Sequence, residues 1–375
     1  MGLNVLLLTG IFPPDLGGPA TFNSKFAYWA VHQDFHIRVL TYSDVKISEP
    51  GDTKFRITRI CRDQNIAIRY LKMILHIILH GLRSDVILAN GCFIELSISK
   101  LFLIRPVITK IPGDPLWERA RNNRETKLGI REFQTEEKTY SQKFLRYWTS
   151  RSVITSHFVI TPSKELATLV TSWGVKTERI RIIPNAVDTY NFVPPVSRKI
   201  DFDVITMARL VPWKGIAELI EVCAELNLSL AVIGDGPELT TLQNLADGKK
   251  ASVRFFGSLS QEGSISVMNA SSVFVLNSDY EGFPHALIEA MALELPCIAR
   301  AGTGCDEIIQ DGVNGFLAIP NSQTTSLRHV MDRDFANKPM REIGKLARKD
   351  VIQNYSHEKI FNTLGNLLRS AVSKN

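Results

Sequence analysis

Short runs of apolar, mostly branched residues recur along the whole chain, most of them closing on glycine, serine, threonine or asparagine. The first half carries "NVLLLTG", "IRVLTYS", "DVILAN", "PVITKIPG" and "HFVITPS"; the second carries "DVITMAR", "LSLAVIGDG", "SVRFFGS", "SVFVLNS" and "PCIARAG". Between most of them lies enough chain for a helix, as in "GIAELIEVCAELN". Strands that are apolar almost throughout have both faces covered, and strands that alternate with helices build parallel sheets. The pattern occurs twice, and 375 residues exceed what one ordinary core holds. The expected fold class is α/β, with two Rossmann-like domains. The stretch 185–203, with adjacent Pro194 and Pro195 and little that would pack, reads as the seam. Open sheets of this kind bind ligands at the C-terminal ends of their strands, so the cleft between the domains is the expected site.

Several classes are set aside by composition. The five cysteines are scattered and form no C-x-x-C pair, which argues against a disulfide framework or a zinc site and fits a reducing compartment. "MGLNVLLLTG" lacks a basic leader and reads as a buried strand rather than a secretory signal. The longest apolar stretch, Ile68 to Leu82, is interrupted by Arg69, Lys72, His76 and His80 and does not read as a membrane span. Charge is divided unevenly. Residues 1–199 hold 28 Lys and Arg against 17 Asp and Glu, a net +11, whereas residues 200–375 are at −5. An anionic partner is therefore expected for the first half alone, although a solvated surface with uneven charge reads the same way.

The chemistry concentrates in "SDYEGFPHALIEAMALELPCIA". Glu281 follows an apolar strand, Gly282 permits close backbone approach, and Pro284 suits the first turn of the helix that follows. The start of that helix offers free N–H groups and partial positive charge to a phosphate. Glu281 and Glu289 flank it, and a carboxylate suits a pair of adjacent hydroxyls. Sugar, ribose and phosphates together describe a nucleotide-sugar; a surface glutamate followed by a helix-interior one gives the same spacing. "MARLVPWKG" places Arg209 and Lys214 at a strand–helix turn, where two cations can neutralise a diphosphate. In "PPDLGGPATF", Gly17 and Gly18 let backbone amides approach an anion, or simply make a turn. "GDGPEL" ends on Leu239 where a dinucleotide fingerprint needs glycine. "DFD" at 201–203 precedes its strand and is read as linker rather than metal site, and His285 is read as structural.

Taken as an ordered set, "ARLVPWKG", "VIGDGPEL" and "EGFPHALIEAMALELPCIA…DEIIQDGVNGFL" resemble the family 4 retaining glycosyltransferases, group 1, which have the GT-B fold. The likeness covers nearly the whole second half; in the first it rests on "PPDLGG", "PGD" and "IPNAVD". It implies an acceptor domain over 1–188, a donor domain over 189–354 and a terminal helix over 355–375 that returns to the first domain, with both sheets facing a central cleft. It implies that Glu281, with the N–H groups of Gly282 and Phe283 beside Pro284, holds donor-sugar hydroxyls, and that Glu289 holds the ribose. Arg209 and Lys214 would grip the diphosphate, with Gly18 near it, and Asp114 would stand near donor sugar and acceptor. No metal or other cofactor is implied, the nucleoside-diphosphate sugar being a co-substrate.

The expected reaction moves a hexose from a UDP- or GDP-sugar to a hydroxyl of a saccharide, with the lipid-linked glycans of cell-surface polysaccharide synthesis as acceptors. "IRYLKMILHIILHGLR" interleaves Leu, Met and Ile with basic residues, as an interfacial helix does. This places the chain in the cytoplasm, docked on an anionic inner leaflet; an ordinary core-facing helix with a basic side fits as well. A nucleic-acid partner is not expected, because no aromatic platforms are interleaved with the basic residues. Two other functions stay open: a GT-B nucleotide-sugar 2-epimerase and a non-catalytic nucleotide-sugar-binding protein.

Overall fold

The computed structural model describes residues 2–15, 17–44, 54–323, 326–337 and 340–373. The chain forms two units, Met1–Pro184 with Glu358–Asn375, and Asn185–His357. In the first unit the order is β1 (Leu3–Thr9), α1 (Gly18–Val31), β2 (Phe35–Ser43), β3 (Arg56–Cys61), α2 (Ile66–Gly81), β4 (Val86–Asn90) and α3 (Phe93–Ser99). It continues through β5 (Val107–Lys110), α4 (Pro115–Asn122), α5 (Ile130–Thr135), α6 (Tyr140–Ile154), β6 (Phe158–Thr161), α7 (Lys164–Ser172) and β7 (Ile180–Ile182). All seven strands are parallel, in the order β3-β2-β1-β4-β5-β6-β7. Val5 to Leu8 at the sheet's centre are buried on both faces, and each such side chain contributes roughly 1.5–3 kcal/mol by leaving water.

The second unit runs β8 (Phe202–Met207), α8 (Ile216–Glu225), β9 (Leu230–Ile233), α9 (Leu239–Lys249), β10 (Val253–Gly257), α10 (Gln261–Asn269) and β11 (Ser271–Leu276). Then come α11 (His285–Ala292), β12 (Cys297–Arg300), β13 (Phe316–Ala318), α12 (Leu327–Asn337) and α13 (Met340–Tyr355). Its six strands are again parallel, ordered β10-β9-β8-β11-β12-β13. The two Rossmann-like sheets are those expected of the α/β class. A last helix, α14 (His357–Ser373), belongs to the first unit from Glu358 onward. Its Phe361 ring meets Phe22, Phe26 and Trp29 of α1 at 5.5, 5.6 and 5.9 Å, and the Arg369 guanidinium stacks over Phe35.

Three strands went unread in the sequence: β3, β7 and β13. All three are edge strands. With one neighbour and one side open, an edge strand needs no unbroken apolar run, and "RITRIC" accordingly carries two arginines. The seam also packs more than its composition implies. Val187 and Phe192 are buried in the core of the second unit, and the Val187 N–H donates to the Tyr355 carbonyl at 2.9 Å.

Candidate functional site

In the second sheet the chain winds outward from β8 to β9 and β10, then returns to place β11 on the other side of β8. That reversal opens the sheet's C-terminal edge between β8 and β11, and ligands of doubly wound sheets lie at such a point. The two loops that leave it are the ones carrying the sequence's cations and carboxylates. Arg209 and Lys214 lie between β8 and α8; Glu281 to Pro284 lie between β11 and α11.

Backbone contacts fasten these loops together. The Asp279 N–H donates to the Trp213 carbonyl at 2.8 Å, and the Asn277 amide donates to the Gly215 carbonyl at 3.1 Å and to Glu218 at 2.9 Å. Gly215 holds φ +64°, and a Cβ there would stand 2.0 Å from the Asn277 carbonyl oxygen. Gly234, at φ +129°, lies equally close to the Ala208 carbonyl, at 1.9 Å, which seats the "GDGPEL" loop against Arg209's strand end. Gly215→Ala is therefore expected to lose at least about 2 kcal/mol through left-handed strain and overlap. The check is the urea midpoint against Gly248→Ala, where a Cβ meets open space and stability should hold or rise slightly. Equal midpoints for the two variants would contradict this packing.

Seated so, the Lys214 ammonium bonds Glu281 Oε1 at 2.5 Å, with side chains 18% and 11% exposed. The Glu281 carbonyl accepts from the Gly304 N–H at 2.8 Å, which ties in the loop after β12. Arg209 is exposed and has no ion-pair partner among the described residues. One cation is thus committed to the carboxylate and the other is available to a ligand.

Gly282, Phe283 and Pro284 are buried at the head of α11. The helix begins at His285, so Pro284 stands at the cap, one residue before the first-turn position expected, and no side chain caps the helix start. The N–H groups of a helix's first turn have no acceptor within the helix itself. The Asn185 amide holds the Phe283 carbonyl at 2.7 Å, fixing the approach. Glu289 is half-buried on the second turn.

The remaining sequence-predicted residues lie in the first unit. Gly17 caps α1, again without a side-chain cap, and Gly18 is its first residue. Asp15 on the same loop is held by Arg62 at 2.6 Å, and that bond keeps its carboxyl below the usual carboxylate range. Asp114 is fully buried and caps α4, accepting from the Leu116 and Trp117 N–H groups at 3.0 and 3.4 Å; its other oxygen accepts from Gln134 at 2.9 Å and Arg146 at 2.6 Å. Asp203 of "DFD" accepts from the Ser229 N–H and hydroxyl at 2.8 and 2.7 Å, a tie at the opposite end of the sheet from Glu281. Among the described residues no group of three or more His, Cys, Asp or Glu is placed to hold a metal ion.

Sequence reasoning passed over three neighbours of the site and one buried cation of the first unit. Arg300 ends β12 and pairs with Glu218 at 3.0 Å and Asp279 at 3.2 Å. Asn277 stitches the loops, and Ser278 beside it keeps a buried hydroxyl without a partner. In the first unit Lys110 is buried at the end of β5 over the Phe22 ring at 4.0 Å, and desolvation lowers its pKa to about 7. A charged residue closing an apolar run, as in "CIAR" and "VITK", is the signal that could have found two of them.

Residues 191–350 match the family model described as glycosyl transferases group 1. Over 214 residues the chain is 28% identical to the lipopolysaccharide core biosynthesis glycosyltransferase LpsE of Rhizobium meliloti, covering 55% of this chain and 62% of that one. Over 140 residues it is 29% identical to N-acetyl-alpha-D-glucosaminyl L-malate synthase of Bacillus anthracis, 37% of each. The matched stretches thus span less than two thirds of these relatives. The crystal structure of Anabaena Alr3699/HepE in complex with UDP and glucose shares the fold with a TM-score of 0.78 at 18% identity, covering 98% of this chain and 100% of that one. The chain thus has two parallel Rossmann-like sheets of the GT-B kind, and its residues 191–350 are similar to the group 1 glycosyl transferases.

Proposed function

We propose that the protein transfers a hexose from a UDP- or GDP-sugar to a hydroxyl of a saccharide acceptor, with retention at the anomeric carbon. The Lys214–Glu281 ion pair at the β8/β11 switch point carries the reading. It sets a cation and a two-oxygen acceptor side by side next to an uncapped helix start, the chemistry of a sugar joined to a diphosphate. Glu281, with the N–H groups of Gly282 and Phe283, holds sugar hydroxyls; Glu289 holds the ribose; Arg209, Lys214 and the α11 amides take the diphosphate. Gly17 and Gly18, at a helix start that also has no side-chain cap, are assigned to an anionic group of a substrate. Asp114, buried beneath its four donors, acts as a positioning residue that fixes α4 and α6.

In this reading the bond from the anomeric carbon to the diphosphate breaks first, and its electron pair leaves on the phosphate oxygen. The acceptor oxygen then bonds that carbon from the same face, and its proton passes to the departing phosphate. Arg209 and Lys214 act on the charge that grows there, so no metal is required. The naming of LpsE for lipopolysaccharide core synthesis and the UDP and glucose in the Anabaena structure support a nucleotide-sugar and a glycan acceptor. No helix among the described residues is long and apolar enough to cross a membrane; a cytoplasmic enzyme that docks on an anionic inner leaflet to reach a lipid-linked glycan fits the charge and exposed apolar side of the first unit.

The test is release of nucleoside diphosphate from UDP- and GDP-hexoses, with and without lipid-linked saccharides, and the anomeric configuration of the product by NMR. Acceptor-dependent release with retained configuration is expected. Sugar isomerised without acceptor would make the protein an epimerase, and binding without release under any acceptor would make it a binding protein.

A further inference from the structure

The first sheet has a second end, away from Gly17 and Gly18. At the N-terminal ends of its strands a cavity of about 450 Å3 opens beside α2. Arg38 and Arg56 lie opposite one another on β2 and β3. By strand alternation they share the sheet face of Leu40 and Ile60, which pack against Met73 and Ile77 of α2. His80 and Arg83 at the end of α2 line the cavity too, with Lys54 and His36, against a single carboxylate, Asp34, among the described lining residues. Arg38, Arg56 and Arg83 have no ion-pair partner among the described residues. Burial, then the charges of Arg56 and Arg83, lowers the pKa of Arg38. His80 is held down to about 4 by burial and then by Arg38, His76 and Arg83, and its Nδ1 is buried without a partner. Three guanidinium groups facing one space repel each other, and an anion shared among them reverses the sign of that interaction.

Beside the cavity, α2 leaves an apolar ridge uncovered. Ile68, Leu71, Leu75, Leu79 and Leu82 follow helical spacing along one face, and all are between 49% and 58% exposed. The ridge continues past the helix into Leu101, Phe102 and Ile104, the last 88% exposed, because Leu103 packs by Gly81 and Arg105 reaches the Leu82 carbonyl at 3.4 Å. Neither 66–84 nor 99–113 contains an acidic residue. An apolar face with an exclusively basic border fits an anionic bilayer. Leu79 and Leu82, at the end of this ridge, are the chain neighbours of the cavity's His80 and Arg83.

We infer that the first unit docks on a membrane through the α2 ridge and that the Arg38–Arg56–Arg83 cavity holds the phosphate of an anionic lipid headgroup. This rests on the docking part of the proposed function and adds a specific headgroup site to it. A phosphomonoester, with more charge and more free oxygens than a diester, makes the better match to three guanidinium groups.

Flotation of the full chain with vesicles of phosphatidylcholine alone, with phosphatidylglycerol, or with phosphatidic acid, the last two matched in surface charge, tests it. Binding to both anionic vesicles is expected, about fivefold tighter with phosphatidic acid. Arg38→Ala/Arg56→Ala should lose that preference yet bind phosphatidylglycerol within about twofold of the parent and melt no lower, because it relieves like-charge repulsion. Leu75→Ser/Leu79→Ser should lose both vesicles. Equal binding of the two anionic vesicles by the parent chain overturns the cavity assignment and leaves docking standing. Binding to neither overturns docking itself. Inorganic phosphate bound in calorimetry and lost in Arg38→Ala/Arg56→Ala, with no vesicle preference, would assign the cavity to a free anion and overturn the lipid inference.

Discussion

Substituting Lys214 by methionine is expected to lower kcat for sugar transfer by about a hundredfold, the usual cost of removing one preorganised group from a developing negative charge. The ammonium sits in a half-buried loop that Gly215, Asn277 and Asp279 hold against β11, so its charge is fixed before the reaction starts. The diphosphate carries more negative charge on its leaving oxygen in the transition state than in the bound donor. An interaction of that kind appears in kcat more than in KM. Methionine keeps most of the side-chain volume, which separates loss of charge from loss of packing. Lys214→Arg should recover part of the rate, because it keeps the charge while its planar fork fits the Glu281 partner differently. A methionine variant with kcat within about twofold of the parent would remove Lys214 from the transition state.

The second large effect is expected at Glu281. Its carboxylate is about nine-tenths buried and already holds one cation, so it is oriented without further ordering cost. Hydrogen bonds between a charged group and sugar hydroxyls are worth about 1.5–3 kcal/mol. Glu281→Ala should therefore lose at least about tenfold in kcat/KM. Because the variant also releases Lys214, thermal melting must accompany the kinetics. A rate loss with the melting temperature nearly unchanged assigns the effect to the substrate, and near-normal turnover would sink the assignment of Glu281 to the donor sugar.

Much of this architecture is written in local sequence. Nine of the ten apolar runs read as strands have another strand on each side, where two-sided burial leaves a continuous apolar signature; the tenth is β10. The strands that escaped, β3, β7 and β13, are edges; most residues of β3 and all of β7 are not fully buried, and β13 is only three residues long. The site was legible as residue types but not as contacts. Nothing local shows that Lys214 reaches Glu281, 67 residues away, because the meeting is made by the strand order that places β11 beside β8. Asp114 was likewise legible as a residue and not as contacts. Likeness alone assigned it to the substrates, whereas its fully buried carboxylate is occupied as a helix cap with Gln134 and Arg146. The uncovered ridge on α2 could be anticipated from its interleaved basic residues; the basic cavity at its end could not, since it draws on three strands and two helices.

The loops at the β8/β11 switch point are proposed to form a nucleoside-diphosphate site. This is tested most directly by calorimetric titration of UDP, GDP, ADP and CMP into the parent chain and Glu289→Ala. One nucleoside diphosphate should bind the parent, CMP should not, and the substitution should weaken that binding by about tenfold or more, the loss of a charged contact to the ribose. Binding by none of the four would contradict the account and leave the fold without this function.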